Sequence, residues 1–193
     1  MTRFTCPDDA VYGILMTKEK RQQMFGKGPA ASNKMEVYQR NMIEKGTGYK
    51  CVKTNMRINT RTIKFVEIPH PNKLDDGFDY TEDFDGYQKI DGKNIFLNLK
   101  NIVDQGGAQT RTLREVYHFI EGQLQVLRKL NKEILFANIM DGTCPPKYWD
   151  KYFYLLDLYP DVKRNVFVGS LKGYFEWLSA KLPGKPNQTG SSS

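Results

Sequence analysis

Residues 84 to 100, FDGYQKIDGKNIFLNLK, set an aspartate, an asparagine and a lysine among strand-forming residues. Asp91-Gly92 is a favoured pair for a two-residue type I′ turn. With Ile90 and Lys93 closing that turn, Asp85 falls opposite Asn98 and Asp83 opposite Lys100. Side chains alternate along a strand, so these four project from one face while Leu97 and Leu99 project from the other. A carboxylate pair, an amide and an ammonium on one face can hold a hard divalent cation next to a phosphate. Mg²⁺ takes oxygen ligands at about 2.0–2.1 Å and keeps several waters, so one or two carboxylates suffice. Asp85 is the ligand by that logic, with Asp83 as a second or outer-shell candidate. Asn98 brings no charge, but its amide oxygen can still coordinate the cation or hold a bound water. Lys100 can contact the phosphate, or orient and help deprotonate an attacking water. A cation beside it would disfavour its charged form, which suits a base.

The surroundings fit that chemistry. The chain carries a net charge of +7, with Lys18, Lys20, Arg21 and Lys27 clustered early and Lys53, Arg57, Arg61 and Lys64 following. Such a balance points to a polyanionic partner, most often nucleic acid. Within this basic chain LDDGFDYTEDFDG, residues 74 to 86, is acidic. Basic surface can hold phosphates while the carboxylates hold the cation. Asp104 to Arg111 follow the lysine directly: Gly106 and Gly107 allow close backbone approach to a phosphate, and Gln105, Gln109, Arg111 and Arg114 can touch DNA. Lys27, in the Gly- and Pro-rich segment FGKGPAASNK, belongs to a basic loop able to close on DNA; the segment lacks P-loop spacing.

These residues need a scaffold. The pattern predicts a helix over about 7–24, and a second one capped by Ser32 and ended by Gly46 or Gly48. One or two strands follow within YKCVKTNMRINTRTIKFVEIPHP, then the acidic loop and the hairpin. Leu113, Val116, Tyr117, Ile120, Leu124 and Leu127 recur at helical spacing. EILFANIMDG reads as a strand buried on both faces. Pro145 and Pro146 open a further helix, NVFVGS a last strand, and LKGYFEWLSAKL a last helix. The order describes an α/β domain with a mixed sheet flanked by helices. We divide the chain into an N-terminal helix and basic loop (1–31), the main domain (32–182) and a polar tail (183–193).

The hairpin and its sequel resemble the PD-(D/E)xK nuclease superfamily, and within it the type II restriction endonucleases. FDG supplies Asp85 for the family's aspartate. IFLNLK supplies Lys100 for its lysine and Asn98 at the position normally acidic. The helix and buried strand that follow fit the family's core, over roughly residues 32 to 170. The resemblance implies a restriction-endonuclease-like fold and Mg²⁺-dependent hydrolysis of phosphodiesters in double-stranded DNA, catalysed by Asp85, Asn98 and Lys100. It further implies a homodimer, because two antiparallel strands need two sites. In many members a helical glutamate completes the metal site, a role open to Glu36 beside that of a solvated helix residue. A structure-selective nuclease of the junction-resolvase type and a binding-only domain are the alternatives.

Other chemistries have less to stand on. Cys6, Cys51 and Cys144 show no metal-binding spacing, and His70 and His118 have no cysteine or serine partner in sequence. No apolar run approaches the ~20 residues that span a membrane. A cytoplasmic protein is the expectation.

Overall fold

A computed structural model describes residues 3–103, 107–130 and 133–183. Its centre is a four-stranded mixed sheet, β3 (Gly86–Ile90), β4 (Lys93–Asn101), β5 (Ile134–Asp141) and β6 (Val166–Gly169), ordered as numbered. The first pair is antiparallel and the other two are parallel. A two-stranded antiparallel sheet, β1 (Met56–Asn59) and β2 (Lys64–Glu67), precedes it.

Among the described residues, six α-helices complete the architecture: α1 (Val11–Ile14), α2 (Lys18–Phe25), α3 (Pro29–Thr47), α4 (Gly107–Leu130), α5 (Trp149–Asp157) and α6 (Leu171–Lys181). The sheet sorts its side chains by alternation. Ile95, Leu97 and Leu99 of β4 enter one apolar cluster with Ile43 of α3 and Tyr174, Phe175 and Leu178 of α6. Phe96 enters the other with Phe136 of β5, Ile120 and Leu124 of α4, and Tyr152 of α5. The β1–β2 hairpin packs on this second side, where Phe65 meets the rings of Phe84, Phe96 and Phe136 edge-on.

The central turn forms as its residues require. Asp91 and Gly92 both take positive φ, and Ile90 pairs with Lys93, with the ladder running to Gly86 opposite Leu97. All eight residues of β5 are buried, as a strand covered on both faces should be. The N-terminal region differs from the expected single helix. The chain breaks after α1, and Thr17 caps α2 by accepting from the Lys20 amide. α3 begins at Pro29, earlier than a Ser32 cap would allow, because proline needs no amide partner at the first helical position. Gly48 ends it in the left-handed conformation. Phe4 and Ala10 belong to the α3–α6 cluster, so the start of the chain shares the main core.

Candidate active site

β4 carries the site to one end of the sheet. Lys100 Nζ lies 3.2 Å from Glu82 Oε2 and 3.5 Å from Asp85 Oδ2. Asp85 immediately precedes β3, and its Oδ2 accepts the Leu99 amide at 2.7 Å. Its own carbonyl accepts from Arg40 of α3 at 2.8 Å. Asp85 is thus fixed from two elements. One turn earlier on α3, Glu36 lies 4.0 Å from Arg40 Nη1 and lines the same cavity as Lys100 and Glu82. That cavity, about 320 Å³, opens between α2, α3, the end of β4 and the first turns of α4.

The electrostatics follow from burial and crowding. Asp85 is 7% exposed, and burial raises its pKa to about 6, with Glu36 and Glu82 pushing further up and Lys100 and the Leu99 amide opposing. Burial works against the Lys100 ammonium, but Asp85, Glu82 and Glu36 outweigh it and hold the amine protonated, above the ordinary lysine range.

Asp83 is not part of the constellation. Its carboxylate pairs with Arg57 of β1 at 3.3 Å, and Arg57 is itself locked onto the Ile68 and Thr81 carbonyls. The ladder ends at Gly86, so the alternation that would carry Asp83 beside Lys100 does not extend that far. Asn98 does share the Phe96 and Lys100 face, but it lies deep. It is 1% exposed, and its Nδ2 donates to Asn138 Oδ1 at 3.1 Å. Asn138 in turn exchanges two bonds with Gln123 of α4. Three amides therefore bridge β4, β5 and α4 beneath the site. Asn98 Oδ1 is buried without a hydrogen-bond partner.

The expected DNA-contacting residues that are described fall on the α2–α3 connection and the start of α4. Lys27 is exposed in the α2–α3 connection. Gln105 and Gly106 lie outside the described residues; Gly107 opens α4, with Gln109 in its first turn. Arg111 is exposed and pairs with Glu115 at 2.7 Å. Arg114 lines a separate small cavity of about 170 Å³ with Tyr117, Tyr148 and Lys151. Glu82 was missed from sequence, although it lies in the acidic segment. Alternation from the turn would send it to the face opposite Lys100, so spacing gave no signal for it.

Among the described residues, no three carboxylates, histidines or cysteines converge closely enough to form a metal cluster unaided. Mg²⁺ asks for less, one or two carboxylates with waters completing the shell. Asp85, Glu36 and Glu82 supply oxygen donors of the right kind, and Asn98 Oδ1 remains without a partner. No protein-family model, curated protein or solved structure matches the chain.

Proposed function

We propose that the protein is a Mg²⁺-dependent DNA endonuclease with a restriction-endonuclease-like fold, acting as a homodimer on a short specific duplex site. One observation carries the reading. Lys100 sits between the carboxylates of Glu82 and Asp85 at the end of a mixed sheet, and it lines a cavity together with Glu82 and Glu36. Asp85 with Glu36 or Glu82 would hold the cation. When bound, it neutralises charge on the phosphate and lowers the pKa of a water.

The chain's own groups do the rest. Lys100 offers its ammonium to a non-bridging phosphate oxygen, where charge develops as the bond to phosphorus forms. The Leu99 amide fixes the Asp85 carboxylate, and Arg40 fixes its backbone, so the ligand is oriented before substrate arrives. Arg111, Arg114 and Lys27 provide charge for the flanking backbone. The buried setting of Asn98 favours a second reading, a domain that binds nucleic acid without cutting it.

Supercoiled plasmid incubated with Mg²⁺ tests both. Discrete fragments are expected, and Asp85→Ala and Lys100→Ala are each expected to reduce cutting by at least about 100-fold while DNA binding in Ca²⁺ persists. Cutting confined to branched substrates would replace the site-specific reading with a resolvase-like one. Binding without any cutting would leave the binding-only domain. Full activity in either variant would remove the site assignment.

A further inference from the structure

The end of the sheet opposite Lys100 holds a second charged cavity. Strands β4, β5 and β6 run parallel, so their first residues gather at one end, with Lys93 opening β4 and Arg164 and Asn165 preceding β6. The last residue of α6, Lys181, returns to the same end. Lys93, Arg164 and Lys181 line a cavity of about 520 Å³ together with Glu133 and Asn165. Lys93 and Lys100 lie seven positions apart on β4, roughly 23 Å at the rise of a strand. The two cavities are therefore distinct. The charges of this one are not balanced. Lys93 is bonded to Glu133. Arg164 and Lys181 have no carboxylate partner among the described residues, whereas neighbouring Lys163 has Asp157 at 2.7 Å. Arg3, which donates to the Leu182 carbonyl nearby, is likewise paired with Asp91. Lys181 is half-buried, and burial and the Arg164 charge both lower its pKa. Three cations and one carboxylate leave two positive charges in surplus, beside a wall that includes the buried Leu135 and Leu182. Apolar surroundings screen charge less than water does. Two like charges held there repel, and a ligand of opposite sign relieves that repulsion.

We propose that this cavity binds a phosphate monoester, with Arg164 and Lys181 meeting its oxygens. Charge selects the ligand class. A monoester carries about −1.5 to −2 at pH 7 and offers three acceptor oxygens, whereas a phosphodiester or a carboxylate carries about −1. The monoester alone matches a surplus of two. The planar guanidinium of Arg164 can take two oxygens at once, and the Lys181 ammonium acts as a point charge. Asn165 adds an amide donor, and Glu133 is occupied by Lys93. The volume of about 520 Å³ falls within the range of small-molecule pockets, roughly 300–1,000 Å³. It therefore has room for the group that the phosphate esterifies. Two sources carry such a phosphate, a small soluble ester and the 5′ end of a nucleic-acid strand. The proposal stands on this cavity and takes nothing from the nuclease reading.

Isothermal titration calorimetry of the full chain with methyl phosphate tests this, in EDTA and low salt at about pH 7.5, where the monoester is close to a dianion. Saturable binding is expected, about tenfold or more tighter than that of dimethyl phosphate, a diester. Arg164→Gln and Lys181→Gln, checked for an unchanged fold by circular dichroism, are each expected to weaken it about tenfold. No binding, equal binding of the diester, or unchanged affinity in both variants would overturn the proposal, as would binding that is lost in Lys100→Ala instead. A single strand bearing a 5′-phosphate, compared with the same strand bearing a 5′-hydroxyl, identifies the source. Tighter binding of the phosphorylated strand that disappears in Arg164→Gln marks the strand end. Equal binding of the two strands, with methyl phosphate still bound, marks a small soluble ester. Because EDTA removes divalent cations, none of these results depends on whether plasmid is cut in Mg²⁺, and either reading can fail without the other.

Discussion

Two buried residues show how a position chosen for reactivity differs from one chosen for stability. Asn98 sits where the related pattern has an acid, yet its neighbours are Asn138 and, beyond it, Gln123. Amides can donate and accept at once, so the three link without charge, although Asn98 Oδ1 keeps no partner. Asn98→Glu would place a carboxylate among them at a site 1% exposed. It is expected to lower stability by about 3 kcal/mol or more, read as a fall in the denaturant midpoint at unchanged slope. An unchanged midpoint would show that this end of β4 is open to the cavity. Asp141 presents the opposite case, a carboxyl fully buried at a point where α3, β5 and α6 meet. Burial raises its pKa to about 6 despite bonds from the Leu171 amide and Gln39. The folded state therefore holds this proton to higher pH than the unfolded chain, whose value is near 3.9. Its contribution is full below about pH 4 and is lost as pH rises through about 6, a change of about 3 kcal/mol. Asp141→Asn is expected to flatten that part of the stability profile, measured by chemical denaturation at pH 4 to 7 against the unaltered chain. Parallel profiles would refute the assignment.

At the level of elements, the chain was legible where local geometry dictates the answer. A two-residue turn needs positive φ at both central positions, and Asp91-Gly92 meets that need, so the hairpin register followed from the turn alone. The continuous apolar run of β5 likewise admitted few alternatives. Less was legible where tertiary partners decide. The predicted N-terminal helix gives no sign that Thr17 would cap a second one, and α2 buries none of its residues. Asp83 satisfied the alternation rule, but Arg57 captured it before the strand began. Glu36 and Glu82 reach Lys100 from a helix and a loop distant in sequence, a convergence that no spacing encodes. The joint where β5 ends is equally a tertiary matter. Gly142 has φ +98°, and a Cβ there would lie 2.5 Å from the Ile102 carbonyl oxygen. Gly142→Ala is expected to cost at least about 2 kcal/mol through the left-handed backbone and that contact. The melting temperature measures it, and a loss below about 0.5 kcal/mol would mean the joint relaxes freely.

For the molecule as a whole, charge and chain connectivity set the terms. With a net charge of +7, the proposed binding to DNA would depend strongly on salt. Two phosphate contacts alone imply about a tenfold loss of affinity between 50 and 200 mM salt, and a flat profile in an anisotropy titration would exclude a backbone-led interface. No helix among the described residues is long and apolar enough to cross a membrane. β4 lies between β3, its neighbour in the chain, and β5, which reaches it only after α4, so that Asn98 faces Asn138. On a ribosome, a nascent chain stopped before Ile134 would hold Glu36, Glu82, Asp85 and Lys100 and still lack the strand that seats them. Carboxylates and lysine would be present without a frame. Synthesis itself thus delays the assembly of this cluster until the second half of the polypeptide has emerged, well after its chemical groups have been made.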